Sequence, residues 1–332
     1  MDFFKTYSED DLPHIIRHRP NEIKLGEKMS VGWGDTPYVL IGIPESLGVK
    51  ANGGIGGTES LWSSFLFSFL NIQSTEKLTG DEVSLLGYFD FESLTPDHEA
   101  PVEKYQKAVK KIDKAVQKVI RKVLAHGKFP IVIGGGHNNC YPLIKGMAEF
   151  RAKVQNEKDP AINVVNFDAH ADFRKMDGRH SGNGFRYAYE EGCLHRYVML
   201  GLSENYNGQE MLNDLIHHPD MAPIFWEDIE LRKKLTFQEA LERIQAFLAD
   251  RPTGIELDLD AIENVLCSAM SPTGFSISQA RQYVHHMASH LDTAYLHICE
   301  GAVELENGLM DQNTAHIVAF LVSDFIKARK VV

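Results

Sequence analysis

The feature that most constrains this fold is a series of short apolar runs, three of which end in acidic, imidazole or glycine residues. Val164-Val165-Asn166-Phe167 leads straight into Asp168-Ala169-His170-Ala171-Asp172, and Gly254-Ile255-Glu256-Leu257 into Asp258-Leu259-Asp260. Phe129-Pro130-Ile131-Val132-Ile133 ends in Gly134-Gly135-Gly136-His137. Runs this rich in β-branched residues, with little polar alternation, read as strands buried on both faces, the pattern of a parallel sheet covered by helices. In such sheets, ligands bind beyond the carboxyl ends of the strands. All three polar clusters fall there.

On an extended backbone Asp168, His170 and Asp172, spaced by two, point to one side, and Asp258 and Asp260 repeat that spacing. Carboxylates gathered at the mouth of buried strands repel and lose hydration, which costs several kcal/mol unless a cation compensates. Four Asp and two His form an oxygen-rich set that suits Mn²⁺ better than the thiolate-rich sets of structural zinc. Two divalent cations balance the four carboxylates. The glycines before His137 let the backbone pack closely and leave the imidazole free to reach inward.

The rest of the chain alternates in the same way. Strands are expected at Tyr38 to Pro44, Val83 to Phe89, Tyr197 to Leu202, Pro223 to Trp226 and Thr293 to Cys299. Helices are expected over Val102 to His126, briefly from Tyr141, near 208 to 217, and over Phe237 to Leu248, Ile277 to His290 and Asn313 to Lys330. In the long helix, apolar residues 105, 109, 112, 116, 119, 120 and 123 trace one face, and the lysines opposite form a solvated stripe. Residues 1–36 read as a mixed surface segment with weak helical hints from Leu12 to His18. The glycine-rich stretch Ser46 to Thr58 has neither phosphate-loop spacing and is expected to form a lid or wall beside the site. Phe173 to Tyr187 is expected to be a polar loop over it. This order predicts a single α/β domain over 1–332, a three-layer α/β/α arrangement with a mainly parallel sheet.

A formal net charge of −12 argues against a general nucleic-acid surface. Cys140, Cys193, Cys267 and Cys299 are widely spaced with no C-x-x-C pair and read as reduced thiols. The N-terminal stretch lacks the pattern of a signal peptide, and no run approaches the roughly 18 apolar residues of a membrane span. A cytoplasmic protein without a membrane partner is expected.

From about Tyr38 to the C-terminus, these motifs resemble the ureohydrolases: arginase, agmatinase and formimidoylglutamase. Gly134 to His137, Asp168 to Asp172 and Asp258 to Asp260 resemble that family's three metal motifs. The resemblance implies an arginase-like fold and two Mn²⁺ per subunit, one held by His137, Asp168, Asp172 and Asp258, the other by Asp168, His170, Asp258 and Asp260. Asp168 and Asp258 would bridge. It implies that a hydroxide shared by the metals attacks a guanidinium or formimidoyl carbon, that Asp172 accepts a hydrogen bond from it, and that Glu300 pairs with the substrate's cationic amidine. It also implies a homo-oligomer, relatives commonly being trimers or hexamers.

Departures bear on the substrate. Arginases carry a histidine four residues after the Ser of a Ser-Gly-Asn segment; here Ser181-Gly182-Asn183-Gly184 is followed by Phe185. Arg174 stands where arginases place an Asn, and Gly136 replaces an acidic residue. The Gly-Gly-Gly-His form and His180 to Arg186 look more like formimidoylglutamases, with Arg174, Ser181, Asn183 and Arg186 as candidate substrate contacts. Formimidoylglutamate has two carboxylates, and a guanidinium near the metals can hold one of them in a bidentate pair. The expected reaction is N-formimidoyl-L-glutamate plus water to L-glutamate and formamide, in histidine breakdown. The alternative is arginase or agmatinase activity, favoured by Ser181, Asn183 and Glu300. A catalytically silent scaffold would have lost ligands, and a metal deacetylase would need one catalytic metal.

Overall fold

The computed structural model describes residues 3–97 and 100–329. In chain order the strands are β1 (Phe4–Thr6), β2 (Ser30–Val31), β3 (Tyr38–Gly42), β4 (Val83–Phe89), β5 (Phe129–Ile133), β6 (Ile162–Phe167), β7 (Leu194–Leu202), β8 (Met221–Phe225), β9 (Thr253–Asp258) and β10 (Thr293–Cys299). The helices are α1 (Leu47–Ala51), α2 (Leu61–Leu70), α3 (Val102–Ala125), α4 (Cys140–Lys153), α5 (Gly184–Glu190), α6 (Gln209–Ile216), α7 (Trp226–Glu230), α8 (Phe237–Leu248), α9 (Ile277–His290) and α10 (Asn313–Ala328).

All ten strands join one sheet of order β1-β4-β3-β5-β10-β9-β6-β7-β8, with β2 also paired to β4. Among the described strands only β1 runs antiparallel. Although last in the chain, β9 and β10 insert at the centre, between β5 and β6. That insertion brings the ends of β5, β10, β9 and β6 side by side, which is where the polar clusters lie. Strands β3, β5, β6, β9 and β10 are buried along their whole length, so their apolar runs need cover on both faces. Helices α2, α8, α9 and α10 pack on one face and α1, α3, α4, α5 and α6 on the other, each layer sealing its own apolar core. The anticipated face of α3 is buried through Tyr105, Val109, Ile112, Val116, Val119, Ile120 and Val123. Local signals fix several helix starts: Thr236 and Glu239 cap α8 reciprocally, and Ser276 and Gln279 cap α9. Among the described residues, no helix is long and apolar enough to cross a membrane.

Several elements differ from expectation. Within 1–36, Phe4–Thr6 and Ser30–Val31 extend the sheet edge rather than only wrapping the surface, and the helical hint is a single 3-10 turn at Leu12–His14. The helix expected to be short after His137 runs fourteen residues. The loop from Phe173 to Tyr187 closes into a 3-10 turn at Ser181–Asn183 and then α5, so Arg186 is helical. Lys330, the expected end of the last helix, lies outside the described residues.

Candidate metal centre

His137 begins a 3-10 turn directly after the triple-glycine bend. Gly134 and Gly135 adopt φ of +90° and +76°, and a Cβ on Gly135 would lie 2.5 Å from Asn139 Nδ2 and 2.9 Å from Ile43 O. Only glycine fits this bend without strain. Buried Glu45 braces it: Oε1 accepts from Gly136 N at 3.1 Å and Asn139 Nδ2 at 2.8 Å, while Oε2 accepts from Leu47 N at 2.7 Å.

The bend aims His137 Nδ1 at three carboxylates. Asp172 Oδ2 is 2.9 Å away, Asp168 Oδ2 3.1 Å and Asp258 Oδ2 3.2 Å. These four residues form one potential ligand set. Asp168, His170 and Asp260 form a second, with His170 Nδ1 2.7 Å from Asp260 Oδ2 and 3.7 Å from Asp168 Oδ1. The sets adjoin and share Asp168. Asp258 joins only the first in this geometry, and its other oxygen accepts from Asp260 N at 2.8 Å. Neither ring nitrogen of His137 makes a well-formed hydrogen bond, although the ring is fully buried. A buried imidazole facing three carboxylates needs a proton or a cation among them, so the donors fit a resident divalent ion.

Electrostatics register the same crowding. Burial pushes the Asp258 carboxyl well up, and Asp260 and Asp168 push it further. Burial and Asp168 raise Asp260 to about 6 despite His170. Burial disfavours charge on His170, yet Asp260 and Asp168 raise it to about 12. The two partners of one ion pair thus move in the same direction, because Asp260 faces other carboxylates as well as its imidazole. Asp168 is held below the usual carboxylate range, with His137 and His170 outweighing its burial. Burial raises Glu300 to about 7, opposed by the Ser268 hydroxyl and the His137 N–H, which donates to Oε1 at 2.7 Å. Asp172 and Glu300 both hold a positive φ, 46° and 62°, a cost tolerated mainly at functional positions.

A cavity of about 610 Å³ opens over the centre. His170, Asp172, Asp258, Asp260 and Glu300 line it together with Asn52, Arg174, Ser181, Arg186 and Tyr206. The glycine-rich stretch forms a wall: Asn52 Nδ2 donates to Ser181 Oγ at 3.2 Å, and Arg174 Nη1 donates to Asn52 Oδ1 at 3.1 Å. Arg186 also faces the cavity, but its guanidinium already pairs with Glu190 at 2.8 Å and lies over the Phe173 ring. Asn183 is not among the lining residues. It is fully buried, and its amide accepts from Arg179 Nη1 at 2.8 Å and donates to Gly178 O at 2.7 Å and Lys175 O at 3.2 Å. Its donors and acceptor are committed to the loop. Phe185 packs edge-on against His137 at 5.0 Å, inside the core.

The sequence reading missed Glu45, Glu256 and Tyr206. Tyr206 stacks on His170 at 5.1 Å from a loop with no periodic signal. Glu45 and Glu256 are carboxylates inside or just after buried strands, a signal that was present, although their partners emerge only with the pairing of distant segments.

A profile describing the arginase family matches residues 38–327. A formimidoylglutamase of Macrococcus caseolyticus is 26% identical over 306 residues, spanning 91% of this chain and 87% of that protein. One of Geobacillus thermodenitrificans is 29% identical over 220 residues, 64% of each chain. The solved structure of Trypanosoma cruzi formiminoglutamase with Mn²⁺ is similar at a TM-score of 0.72 and 21% identity, covering 93% of this chain and all 100% of that one. Formimidoylglutamase from Bacillus subtilis gives 0.73 at 18% identity, covering 94% and 93%. At these identities the solved structures speak to the fold.

Proposed function

This chain belongs to the arginase family, and from that premise we propose that it hydrolyses N-formimidoyl-L-glutamate to L-glutamate and formamide, with two Mn²⁺ held by His137, Asp168, His170, Asp172, Asp258 and Asp260. The observation that carries the reading is the pair of adjoining ligand sets sharing Asp168 at the floor of a cavity whose wall presents Arg174 and Arg186. The curated relatives named formimidoylglutamase support the same substrate. When bound, a manganese pair would lower the pKa of water and offset the charge that builds as it adds to the amidine carbon.

The side chains divide the remaining work. Asp172 lies on the cavity floor, placed to accept a hydrogen bond from the attacking water. With Mn²⁺ bound, the four aspartates would be neutralised, and Glu300 would remain as the anion for the substrate's amidinium. Its carboxylate is already oriented by His137 N–H and Ser268. Arg174, whose guanidinium bonds only Asn52 among the described residues, is the partner for a substrate carboxylate, with Ser181 beside it. Arg186 gives a second guanidinium if Glu190 yields it. Asn183 acts by shaping this loop.

Arginase or agmatinase activity is the second reading, favoured by Ser181 and Glu300 at the cavity. It lacks a histidine at Phe185, and two wall arginines oppose a cationic substrate. The reading carries with it a single folded unit, a homo-oligomer, a cytoplasmic setting and a place in histidine breakdown. Manganese-loaded protein assayed for formamide and urea from formimidoylglutamate, arginine and agmatine tests it. Formamide from the first substrate is expected; preferential turnover of arginine or agmatine contradicts the substrate assignment.

A further inference from the structure

Behind the metal centre lies a buried polar cluster that the proposed chemistry does not use. Glu256, Tyr295 and His297 are fully buried on the central strands β9 and β10, and none lines the cavity. The parallel register sets His297 beside Glu256 and Tyr295 beside Gly254. Tyr295 OH donates to Glu256 Oε1 at 2.7 Å, and His297 Nδ1 lies 2.6 Å from Glu256 Oε2. Gly254 makes room for this arrangement, because a Cβ there would meet the Tyr295 ring at 2.4 to 2.6 Å. The other nitrogen of His297 lies 3.4 Å from Gly134 O, in the bend that carries His137. The cluster therefore connects the two central strands to the first metal motif.

Glu256 Oε2 also faces His137 Nε2, at 3.6 Å, on the opposite edge of the ring from the three aspartates around Nδ1. A neutral imidazole offers a lone pair at one nitrogen when the other carries the proton. A carboxylate behind a metal-bound histidine fixes which nitrogen that is, and strengthens the ligand. We propose that Glu256 is a positioning residue: held by Tyr295 and His297, its carboxylate keeps the His137 proton on Nε2 and leaves Nδ1 to the manganese shared with Asp168, Asp172 and Asp258. The inference rests on the manganese reading above and adds a residue to it.

Manganese titration of chelator-stripped protein, with free Mn²⁺ read by its EPR signal up to millimolar concentrations, tests this. Glu256→Gln is expected to weaken one of the two ions by about 10- to 100-fold and to leave the other unchanged, because His137 serves only one ligand set. In a His137→Ala background, Glu256→Gln should add no further loss, the non-additivity of residues acting through one another. Tyr295→Phe, which keeps the charge, should weaken the same ion less; it carries the same cycle if Glu256→Gln does not fold. Wild-type affinity in the variant, equal weakening of both ions, or losses additive with His137→Ala would overturn the inference while leaving the manganese reading standing. Wild-type protein that takes up no Mn²⁺ would overturn the reading itself, and this inference with it.

Discussion

Stripped of metal, the protein should lose stability as the pH rises from about 6 to about 8, the reverse of what paired surface carboxylates produce. His170 and Glu300 give that window a size, and His137 and Asp258, both raised well above their ordinary values, push in the same direction. His170 is raised from 6.5 to about 12, so its contribution is fully present below about pH 6.5 and is lost as pH climbs toward the raised value. Over roughly 1.5 pH units, at about 1.36 kcal/mol per unit, that is about 2 kcal/mol. Glu300 is raised from 4.5 to about 7. A raised carboxyl favours the folded state only while protonated, and the step from about pH 6 to 7 removes about 1.4 kcal/mol more. Asp260, raised to about 6, has largely completed its loss before the window begins. Because the His170 side chain is 28% exposed, solvent screening reduces the total to the order of 1–3 kcal/mol. For 332 residues, an unfolding entropy of about 2.1 cal/mol/K per residue turns this into a fall in Tm of about 1.5–4 °C. Differential scanning fluorimetry of chelator-treated protein reads it, with His170→Asn as the control whose fall should be smaller. With Mn²⁺ in excess the slope should reverse, because the metal competes with protons for these ligands. A metal-free Tm that is flat or rises with pH, or an unchanged slope in His170→Asn, would refute the argument.

Asp168→Asn removes the residue that already belongs to both ligand sets in this geometry, and kcat/KM should fall by about 10³-fold or more, with manganese content dropping by mass spectrometry; retention of both ions and activity would contradict the shared role. Arg174→Ala should raise KM for formimidoylglutamate by about 10- to 100-fold with little change in kcat, the mark of lost uniform binding, whereas a fall in kcat alone would place Arg174 in the chemistry. Asn183→Ala strands the buried partners of its amide and should cost about 1–3 kcal/mol in denaturant unfolding while leaving KM within about twofold; a large KM change in a stable variant would return Asn183 to the substrate.

Much of the architecture was legible because buried strands declare themselves. Val164 to Phe167 and Thr293 to Cys299 are apolar enough to demand cover on both faces, and the chemistry sits at their ends. The candidate ligands stood out for the same reason: Asp168, His170 and Asp172 at a spacing of two have no apolar role. The edge strand Phe4–Thr6 was not, since three mixed residues carry no periodic signal and are held by pairing with β4. Helix α5 was hidden behind Gly184, where a Cβ would lie 2.3 Å from Cys140 Sγ; that glycine reads as loop composition yet serves close packing. Asn183 looked like a substrate contact because it is polar and sits in a loop motif, and only the placement of Arg179 shows where its amide is spent. Glu256 stood within a strand already read as buried. Its partners His297 and Tyr295 are some forty residues away, in a strand whose register with β9 no local pattern reveals.

Anomalous diffraction at the manganese edge from crystals grown with Mn²⁺ tests the central claim most directly. Two peaks are expected beneath the cavity, one contacting His137, Asp168, Asp172 and Asp258 and the other Asp168, His170, Asp258 and Asp260. A single peak, or none within coordinating distance of Asp168, would contradict it.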